Sequence, residues 1–283
     1  MADTTTLQQK FNLYGKHGQR LTPVFHEVAS RLCDRLLDTK KTFSCGLDIG
    51  AGFGSVRHSL PPKKQPKLFV EADFCYPVLQ QNTSSHRMLL DAEAPLPFAA
   101  KSFDLITSNL MLPWLKNVPK FLAQSGRMLT EDGLFLASTL GKESFYELNS
   151  AFLEAGSTTP HVNPMPDVQT VGEVLQNVGF ALPVIDRDKI TLEYQNFETL
   201  WADLKAMGAT NMHPARLRGL MTPRLLNRTK EIYQEQFTNK HGCLTLTLEI
   251  IYLHGWRPHK SQQKPLPRGS GAIDLTAVLG NGS

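Results

Sequence analysis

The segment "LDIGAGFG", residues 47–54, constrains the fold more than any other stretch of the chain. After a short apolar run, Asp48 precedes three alternating glycines, which are Gly50, Gly52 and Gly54. Glycines at the end of a buried strand leave main chain that a ligand can approach closely. The spacing D-x-G-x-G-x-G differs from the dinucleotide and phosphate-loop motifs. The leading acid suits a ligand with a positive amino group, and a glycine-rich strand–helix turn without a ligand is the alternative.

Apolar runs that alternate with helical stretches predict a mostly parallel sheet. Turn signals separate seven such runs, of which the fifth follows a turn at Glu131-Asp132-Gly133. They are "FSCGLDI", "KLFVEAD", "HRMLLDAE", "SFDLITSNL", "GLFLAST", "LPVIDRDKITLEY" and "CLTLTLEIIYLHGW". Alternation of this kind is typical of right-handed crossovers and of a sheet covered on both faces. We expect an α/β fold whose seven-stranded sheet is parallel except for the C-terminal strand, inserted near an edge.

The helical patterns divide the chain into parts. Thr22, as an N-cap followed by Pro23, begins an amphipathic helix that runs to about Leu37. Two further helices stand between the last two strands without a strand of their own, and we expect them to form a lid. The expected parts are an N-terminal helical segment at 1–42, a main domain at 43–257 with the helical lid at 196–240, and a flexible tail at 258–283.

Composition excludes several classes of protein. The chain has 283 residues, 41% hydrophobic and 20% charged, with a net charge of +4 and no long run of Lys or Arg, so we expect no nucleic-acid partner. Its four cysteines form no CxxC pair, which favours free thiols over a metal site. No apolar stretch is long enough to span a bilayer. We expect a cytoplasmic protein. Asp3 is the only acid in the first 26 residues, which leaves organelle targeting, and so the mitochondrial matrix, as the alternative.

Polar residues follow successive predicted strands. Asp73 ends the second strand, where a carboxylate can accept from both hydroxyls of a ribose, with Glu71 as the alternative. Asp91 and Ala92 follow the third strand, where a carboxylate and a backbone N–H can bind an adenine edge. Asn109 ends the fourth strand and faces the crevice in which open α/β sheets bind ligands. Each could be a solvated loop residue, but together they indicate one nucleoside site.

These motifs resemble those of the class I S-adenosylmethionine-dependent methyltransferases. The resemblance covers roughly residues 43–140, through "LDIGAGFG", "VEADFCYPVL", "LLDAEAPLPFAAKSFDLI" and "EDGLFLASTLG". It implies a Rossmann-like sheet and S-adenosylmethionine as the cofactor. It also implies that the three glycines lie against the methionine part, that Asp73 holds the ribose and that Asp91 meets the adenine.

A narrower resemblance extends into the C-terminal half. "SNLMLPWLKNVPKFL", "PHVNPMPDVQTVGEVLQNVGF", "NFETLWADLKAMGATN" and "LEIIYLHGW" are similar to a subgroup with two known functions. It contains the malonyl-acyl-carrier-protein O-methyltransferases and the methyltransferase-like assembly factor of respiratory complex I, which hydroxylates an arginine. This sequence departs from the subgroup at Pro113, where a polar residue is usual, and in an arginine-poor "KFNLYGKHGQR" near the amino terminus.

The resemblance implies methyl transfer to a protein-borne acceptor, either a malonyl-type carboxyl group or a protein side chain. The sulfonium of the cofactor is already an activated electrophile, so a carboxylate acceptor needs no general base. We therefore assign no catalytic residue from the sequence. Trp114 and Tyr146 are candidates for the wall of an acceptor pocket, with simple packing as an equal alternative.

Two other functions stay open. Hydroxylation of an arginine needs an oxidant or a metal, and the usual iron site uses two histidines and a carboxylate. None of the nine histidines is followed two residues later by an acid, so that motif is missing, and we expect no metal. His161, His213 and His254 could belong to another arrangement, although packing roles are more common. A non-catalytic assembly factor would bind the cofactor without turning it over.

The predicted lid favours a protein partner. One helical face carries Phe197, Leu200, Trp201, Leu204 and Met207. The same block is basic through Lys205, Arg216, Arg218, Arg224, Arg228 and Lys230. An apolar roof with a basic rim suits a large acidic acceptor such as an acyl-carrier protein or a respiratory-complex subunit. A packed face with solvated charges is the alternative.

Overall fold

The computed structural model describes Gly15 and residues 18–159, 161–207 and 221–263. Outside them lie the end of the expected tail and three residues considered above, His213, Arg216 and Arg218. Within the described residues one sheet has the strand order β3-β2-β1-β4-β5-β7-β6. The strands are β1 (Cys45–Ile49), β2 (Leu68–Asp73), β3 (Arg87–Leu89), β4 (Phe103–Ser108), β5 (Leu129–Leu140), β6 (Ala181–Tyr194) and β7 (Leu244–Trp256).

The direction of the strands confirms the predicted sheet. The neighbours from β3 to β5 are all parallel, whereas β7 runs antiparallel to both β5 and β6. A single reversed strand near one edge keeps the carboxyl ends of the other six at the same edge of the sheet. In open sheets of this kind that edge is where ligands bind.

Helices cover both faces of the sheet. Those of the described residues are α1 (Thr22–Asp34), α2 (Ser55–Ser59), α3 (Tyr76–Gln81), α4 (Val118–Met128), α5 (Tyr146–Glu154), α6 (Val168–Asn177), α7 (Phe197–Ala206) and α8 (Pro223–Gln236). The first helix differs slightly from its prediction. Its N-cap is Leu21 and not Thr22, and after Asp34 it tightens into a 3₁₀ turn that ends at Asp38. No described helix has the length and apolar character needed to cross a membrane.

The start of β5 was predicted wrongly. The turn signal at Glu131-Asp132-Gly133 suggested a strand that follows it, but β5 already begins at Leu129. Asp132 has a φ of 59°, and the pairing with β4 shifts register between Phe103 and Leu105. The turn residues therefore form an irregularity inside the strand, since one left-handed residue can be absorbed by a bulge without ending the pairing.

Alternate residues of the central strands supply two separate cores. Leu105 and Leu136 belong to the cluster that includes α1, whereas Ile106 and Phe135 belong to the cluster on the opposite face. This alternation is what a strand covered on both faces requires. Each fully buried side chain of this size contributes about 1.5–3 kcal/mol, so both faces hold the sheet in place.

The last two strands extend beyond the rest of the sheet. The end of β5 at Leu140 pairs with Ile250, so β6 is the strand that pairs with residues 244–249 of β7, and Leu244 also forms an isolated bridge with Thr238. The predicted insertion, α7 and α8, connects β6 to β7 at this carboxyl edge. Phe197, Leu200 and other residues of the insertion are buried in the same cluster as α1 and α5. Most of the predicted roof therefore packs into the core.

Candidate functional site

A cavity of about 250 Å³ opens at the carboxyl ends of the central strands. Its walls come from the glycine turn after β1, the ends of β2 and β4, the loop after β3, α1, and the ends of β5 and α7. Of the residues singled out in the sequence, the cavity is lined by Gly50, Gly52, Asp73, Asp91, Ala92, Asn109, Trp114 and Met207. Asp48, Gly54 and Tyr146 are not part of its lining.

The glycine turn requires glycine for conformation and for space. Gly50 has a φ of 78°, and a Cβ placed there would lie 2.4 Å from Cγ of Met111. Gly54 has a φ of 82°, and a Cβ there would lie 3.1 Å from Oε1 of Glu71. Larger residues are therefore excluded by the left-handed backbone and by packing. Gly50 lies at the cavity, while Gly54 caps α2 behind it.

Asp73 joins the end of β2 to the glycine turn. Its Oδ2 accepts from the backbone N–H of Gly52 at 2.8 Å, and its Oδ1 accepts from the N–H of Cys75 at 2.7 Å. Burial raises the pKa of this carboxyl, and the hydrogen bonds from Cys75 and Gly52 oppose that shift. Asp73 thus positions the turn and also presents a carboxyl group to the cavity.

Two other acids lie beneath the turn. Asp48 is fully buried, and its Oδ1 accepts from the hydroxyl of Thr107 at 2.8 Å. Burial, followed by the nearby Glu71, raises the pKa of Asp48 well above its usual range. Glu71 is also fully buried, where it accepts from Asn82 at 3.1 Å and pairs with Arg57 at 3.5 Å. The alternative ribose ligand therefore lies outside the cavity lining.

The loop after β3 carries a residue that sequence reasoning missed. Oδ1 of Asp91 accepts from the N–H of Glu93 at 2.9 Å, which fixes the local turn. The carboxylate of Glu93 accepts from the N–H of Lys116, and its carbonyl accepts from Nζ of Lys120 at 2.7 Å. Glu93 and Lys116 both line the cavity. Glu93 and Lys116 are separated by 22 residues in the sequence, so only folding brings the loop after β3 and the segment after β4 together.

Asn109 joins three elements at the centre of the site. Its Nδ2 donates to the carbonyl of Phe25 in α1 at 3.1 Å, and its Oδ1 accepts from the hydroxyl of Ser138 in β5 at 2.7 Å. Asn109 lines the cavity as expected, but its amide group is engaged with protein at both ends. Neither Phe25 nor Ser138 carried a sequence signal for this contact.

The side of the cavity nearest β5 and β7 is apolar. Its described lining comes from Val24, Phe25, Leu140, Met207 and Leu248, which all belong to the core cluster on the α1 face. Of the two aromatic residues considered for an acceptor wall, Trp114 lines the cavity. Tyr146 is 47% exposed and makes an edge-to-face contact with Phe237 at 6.0 Å. The sequence could not separate the two because their positions depend on the turn after β4 and on the orientation of α5.

The two candidate metal ligands among the described residues, His161 and His254, do not line this cavity. His161 stacks on Phe152 at 3.8 Å and is hydrogen-bonded to Ser157 through Nε2 at 2.7 Å, and burial lowers the pKa of its ring. His254 lies within β7. Among the described residues no three His, Cys, Asp or Glu side chains form a group that could hold a metal ion.

Comparison with known proteins identifies the class. A methyltransferase-domain family matches residues 47–137, from the glycine turn into β5. YcgJ from Bacillus subtilis superposes with a TM-score of 0.55 at 18% identity, covering 81% of this chain and 99% of that one. A putative methyltransferase from Bacillus halodurans gives 0.57 at 18% identity, covering 82% and 99%. These two structures support the fold.

Longer similarity to curated proteins identifies the family. The mitochondrial arginine-hydroxylase NDUFAF5 of Danio rerio is 32% identical over 88% of this chain and 79% of its own length. Malonyl-[acyl-carrier protein] O-methyltransferase 1 of Coxiella burnetii is 32% identical over 81% and 79%. The chain belongs to the class I S-adenosylmethionine-dependent methyltransferases, in the subgroup that contains these two proteins, and S-adenosylmethionine is its cofactor.

The lining of the cavity fits this cofactor. Asp73 and Asp91 offer carboxylate acceptors for hydroxyl and amino groups, and Leu90 and Leu115 offer apolar surface for a flat base. Among the described lining residues, the basic side chain is that of Lys116, in the loop that bonds to Glu93. The glycine turn, where a positive sulfonium and amino group would lie, has no described cation in the lining.

Proposed function

We propose that this enzyme transfers the methyl group of S-adenosylmethionine to a carboxylate carried by another protein, such as a malonyl-type thioester on a carrier protein. The observation that supports the carboxylate most directly is the apolar lining between α1 and β7. None of the described residues on that side of the cavity can act as a general base. A carboxylate is ionised at neutral pH and needs none, whereas most other acceptors have a proton to lose.

The order of the strands suggests how the cofactor lies. The loop after β3 with Asp91 and Ala92 would hold the adenine, and Asp73 at the end of β2 would hold the ribose. Gly50 and Gly52 after β1 would contact the methionine part. The acceptor would then enter beyond β4, between α1 and the ends of β5 and β7. We propose that Asp48 and Gly54 act on the cofactor through the turn that they support from beneath.

Chemistry in this site is mainly a matter of position. When bound, S-adenosylmethionine supplies a methyl group on a good leaving group. The apolar side chains around Phe25 and Met207 would exclude water from the acceptor carboxylate and so strengthen its attraction to positive charge. Trp114 would limit the direction from which the acceptor approaches, which favours an in-line arrangement.

Arginine hydroxylation, or a role in the assembly of respiratory complex I, is the second candidate. It is supported by the similarity to NDUFAF5, which is 32% identical over 88% of the chain. The cytoplasmic location expected from the sequence stays a prediction. The mitochondrial relatives support a mitochondrial location, which was the alternative.

The two functions differ in the product that they leave. We would incubate the protein with methyl-labelled cofactor and a lysate, then examine labelled proteins for methyl esters and for an oxygen added to arginine. Label that is released by mild base supports the carboxylate acceptor. Unlabelled protein with oxidised arginine would contradict it and support the second candidate.

A pair of variants connects this assay to the cavity. Trp114→Ala should raise the KM for the acceptor, because its side chain lines the proposed entry. Tyr146→Ala removes an aromatic ring outside the lining and serves as the matched control. Equal effects of the two substitutions would mean that the acceptor does not enter beside Trp114.

A further inference from the structure

The contacts of Asn109 suggest a role other than contact with the cofactor. The side chain donates to the Phe25 carbonyl at 3.1 Å and accepts from Ser138 at 2.7 Å. One bond reaches the first turns of α1, and the other reaches the end of β5. Val24 and Phe25 form the α1 wall of the cavity. The amide of Asn109 therefore links this wall to the sheet.

The backbone after Asn109 is built around the same serine. Leu110 has a φ of 55°, a left-handed conformation that is costly for a leucine. Its N–H donates to the hydroxyl of Ser138 at 2.9 Å and lies 3.1 Å from the carbonyl of that residue. Ser138 is fully buried, so its hydroxyl is held by two partners away from solvent. This arrangement fixes the orientation of Asn109 toward α1.

A second contact holds α1 from the other side. Arg20, just before the helix, pairs with Asp203 of α7 at 3.3 Å. Met207, directly after α7, lines the cavity opposite α1. The wall therefore has an anchor to the insertion and a separate anchor to the sheet.

We propose that Asn109 is a positioning residue that fastens α1 over the acceptor side of the cavity, so that it acts on acceptor selection and not on cofactor affinity. The part of this inference that concerns the acceptor rests on the proposed function. The fastening of α1 does not, because it can be measured without any acceptor.

Asn109→Asp tests the contact with little change in shape. The carboxylate can still accept from Ser138, but it has no N–H for the Phe25 carbonyl. Ser138→Ala removes the other support, adds no charge and changes a residue outside the cavity lining. Asn227→Asp, at an exposed position of α8, controls for the added charge. Ser125→Ala, which removes a buried bond inside α4, controls for the loss of a hydroxyl.

Hydrogen exchange of the α1 amides is the first measurement, and calorimetry with S-adenosylmethionine is the second. Loss of one intramolecular hydrogen bond corresponds to about a three- to tenfold change in a local opening equilibrium. We expect exchange in α1 to rise by that factor in Asn109→Asp and Ser138→Ala, and not in the controls. The cofactor Kd should stay within about twofold, a change of about 0.4 kcal/mol in binding free energy.

Either of two results would overturn the inference. Unchanged exchange in α1 would show that the contact does not fasten the helix. A cofactor Kd that rises about tenfold in both variants would make Asn109 part of the cofactor site. Faster exchange with unchanged cofactor affinity would support the fastening even if no carboxylate were methylated, so the two proposals can fail separately.

Discussion

Asp73 is the residue on which the cofactor assignment depends most directly. Replacing it by asparagine keeps an oxygen for the N–H of Gly52 but removes the charge that would bind ribose hydroxyls. A hydrogen bond to a charged group contributes about 1.5–3 kcal/mol, so the affinity for S-adenosylmethionine should fall roughly ten- to a hundredfold. Calorimetry would measure this. Glu71→Gln, which changes a buried carboxyl outside the lining, is the control.

If Glu71→Gln weakened binding and Asp73→Asn did not, the ribose assignment would move to Glu71. The sequence could not decide between these acids, because they are two positions apart on one strand. The structure separates them by their partners. Asp73 is bonded to the turn at the cavity, whereas Glu71 is enclosed with Asn82 and Arg57.

Asp48 should make stability depend on pH. Its pKa is raised in the folded protein, chiefly by burial, so the folded state binds its proton more tightly than the unfolded state does. The free energy of unfolding must then fall as pH rises from the unfolded pKa, about 3.9, toward the folded value. In Asp48→Asn the free energy of unfolding should fall less over that pH range than it does in the unmodified protein. Denaturant unfolding of both proteins at several pH values measures the difference, and parallel curves would contradict the assignment.

At the scale of elements, α7 differs most from its prediction. The sequence suggested a roof over the acceptor, but Phe197, Leu200 and Leu204 are buried in the core. Periodicity shows that a face is apolar, yet it does not show whether a ligand or another helix covers it. Only Met207, of the five residues on the predicted face, is part of the described cavity lining.

This division predicts different effects along one helix. Leu200→Ala should lower the free energy of unfolding by about 2–5 kcal/mol, as is usual for a fully buried leucine. Met207→Ala should change the KM for the acceptor with a smaller effect on stability, because its side chain is partly exposed at the cavity. Chemical denaturation measures the effect on stability, and steady-state kinetics measures the effect on KM. A reversal of these effects would mean that the whole apolar face of α7 contacts the acceptor.

The basic rim of the insertion remains a prediction. Among its described members, Lys230 pairs with Glu198, and Arg228 pairs with Glu231 at 3.1 Å. These ion pairs lower the net positive charge of the rim. Arg216 and Arg218 lie outside the described residues. Reversing both to glutamate should slow modification of an acidic protein acceptor and weaken its salt dependence, while cofactor affinity stays unchanged. Unaltered turnover and salt dependence would instead favour a small acceptor.

At the scale of the whole molecule, the sequence predicted the sheet well because its signals are local. Alternating runs such as "CLTLTLEIIYLHGW" and the glycine turn define strands and their carboxyl ends. The contacts that complete the site are not local. Glu93 meets Lys116, and Asn109 meets Phe25, only after the chain has folded. For that reason the ligand edge was predictable and the acceptor wall was not.

The order of the strands places the candidate site at the carboxyl edge of the sheet and the support of the insertion at β6 and β7. The six strands that share a direction bring the glycine turn, Asp73 and Asn109 together, and the extended part of β6 and β7 supports the insertion beside them. In the proposed arrangement the cofactor and the acceptor occupy different sides of one cavity, because Asp73 and Asp91 line it together with Leu140 and Leu248.

Methyl transfer to a malonyl group on a carrier protein can be measured in a single reaction. The protein would be mixed with S-adenosylmethionine and a malonyl-loaded carrier protein, and both S-adenosylhomocysteine and the mass of the carrier protein would be followed in time. We expect one S-adenosylhomocysteine for each methyl group gained, with the methyl ester on the malonyl carboxyl. Binding of the cofactor with no S-adenosylhomocysteine formed, here and with lysate proteins, would contradict methyl transfer and leave an assembly factor.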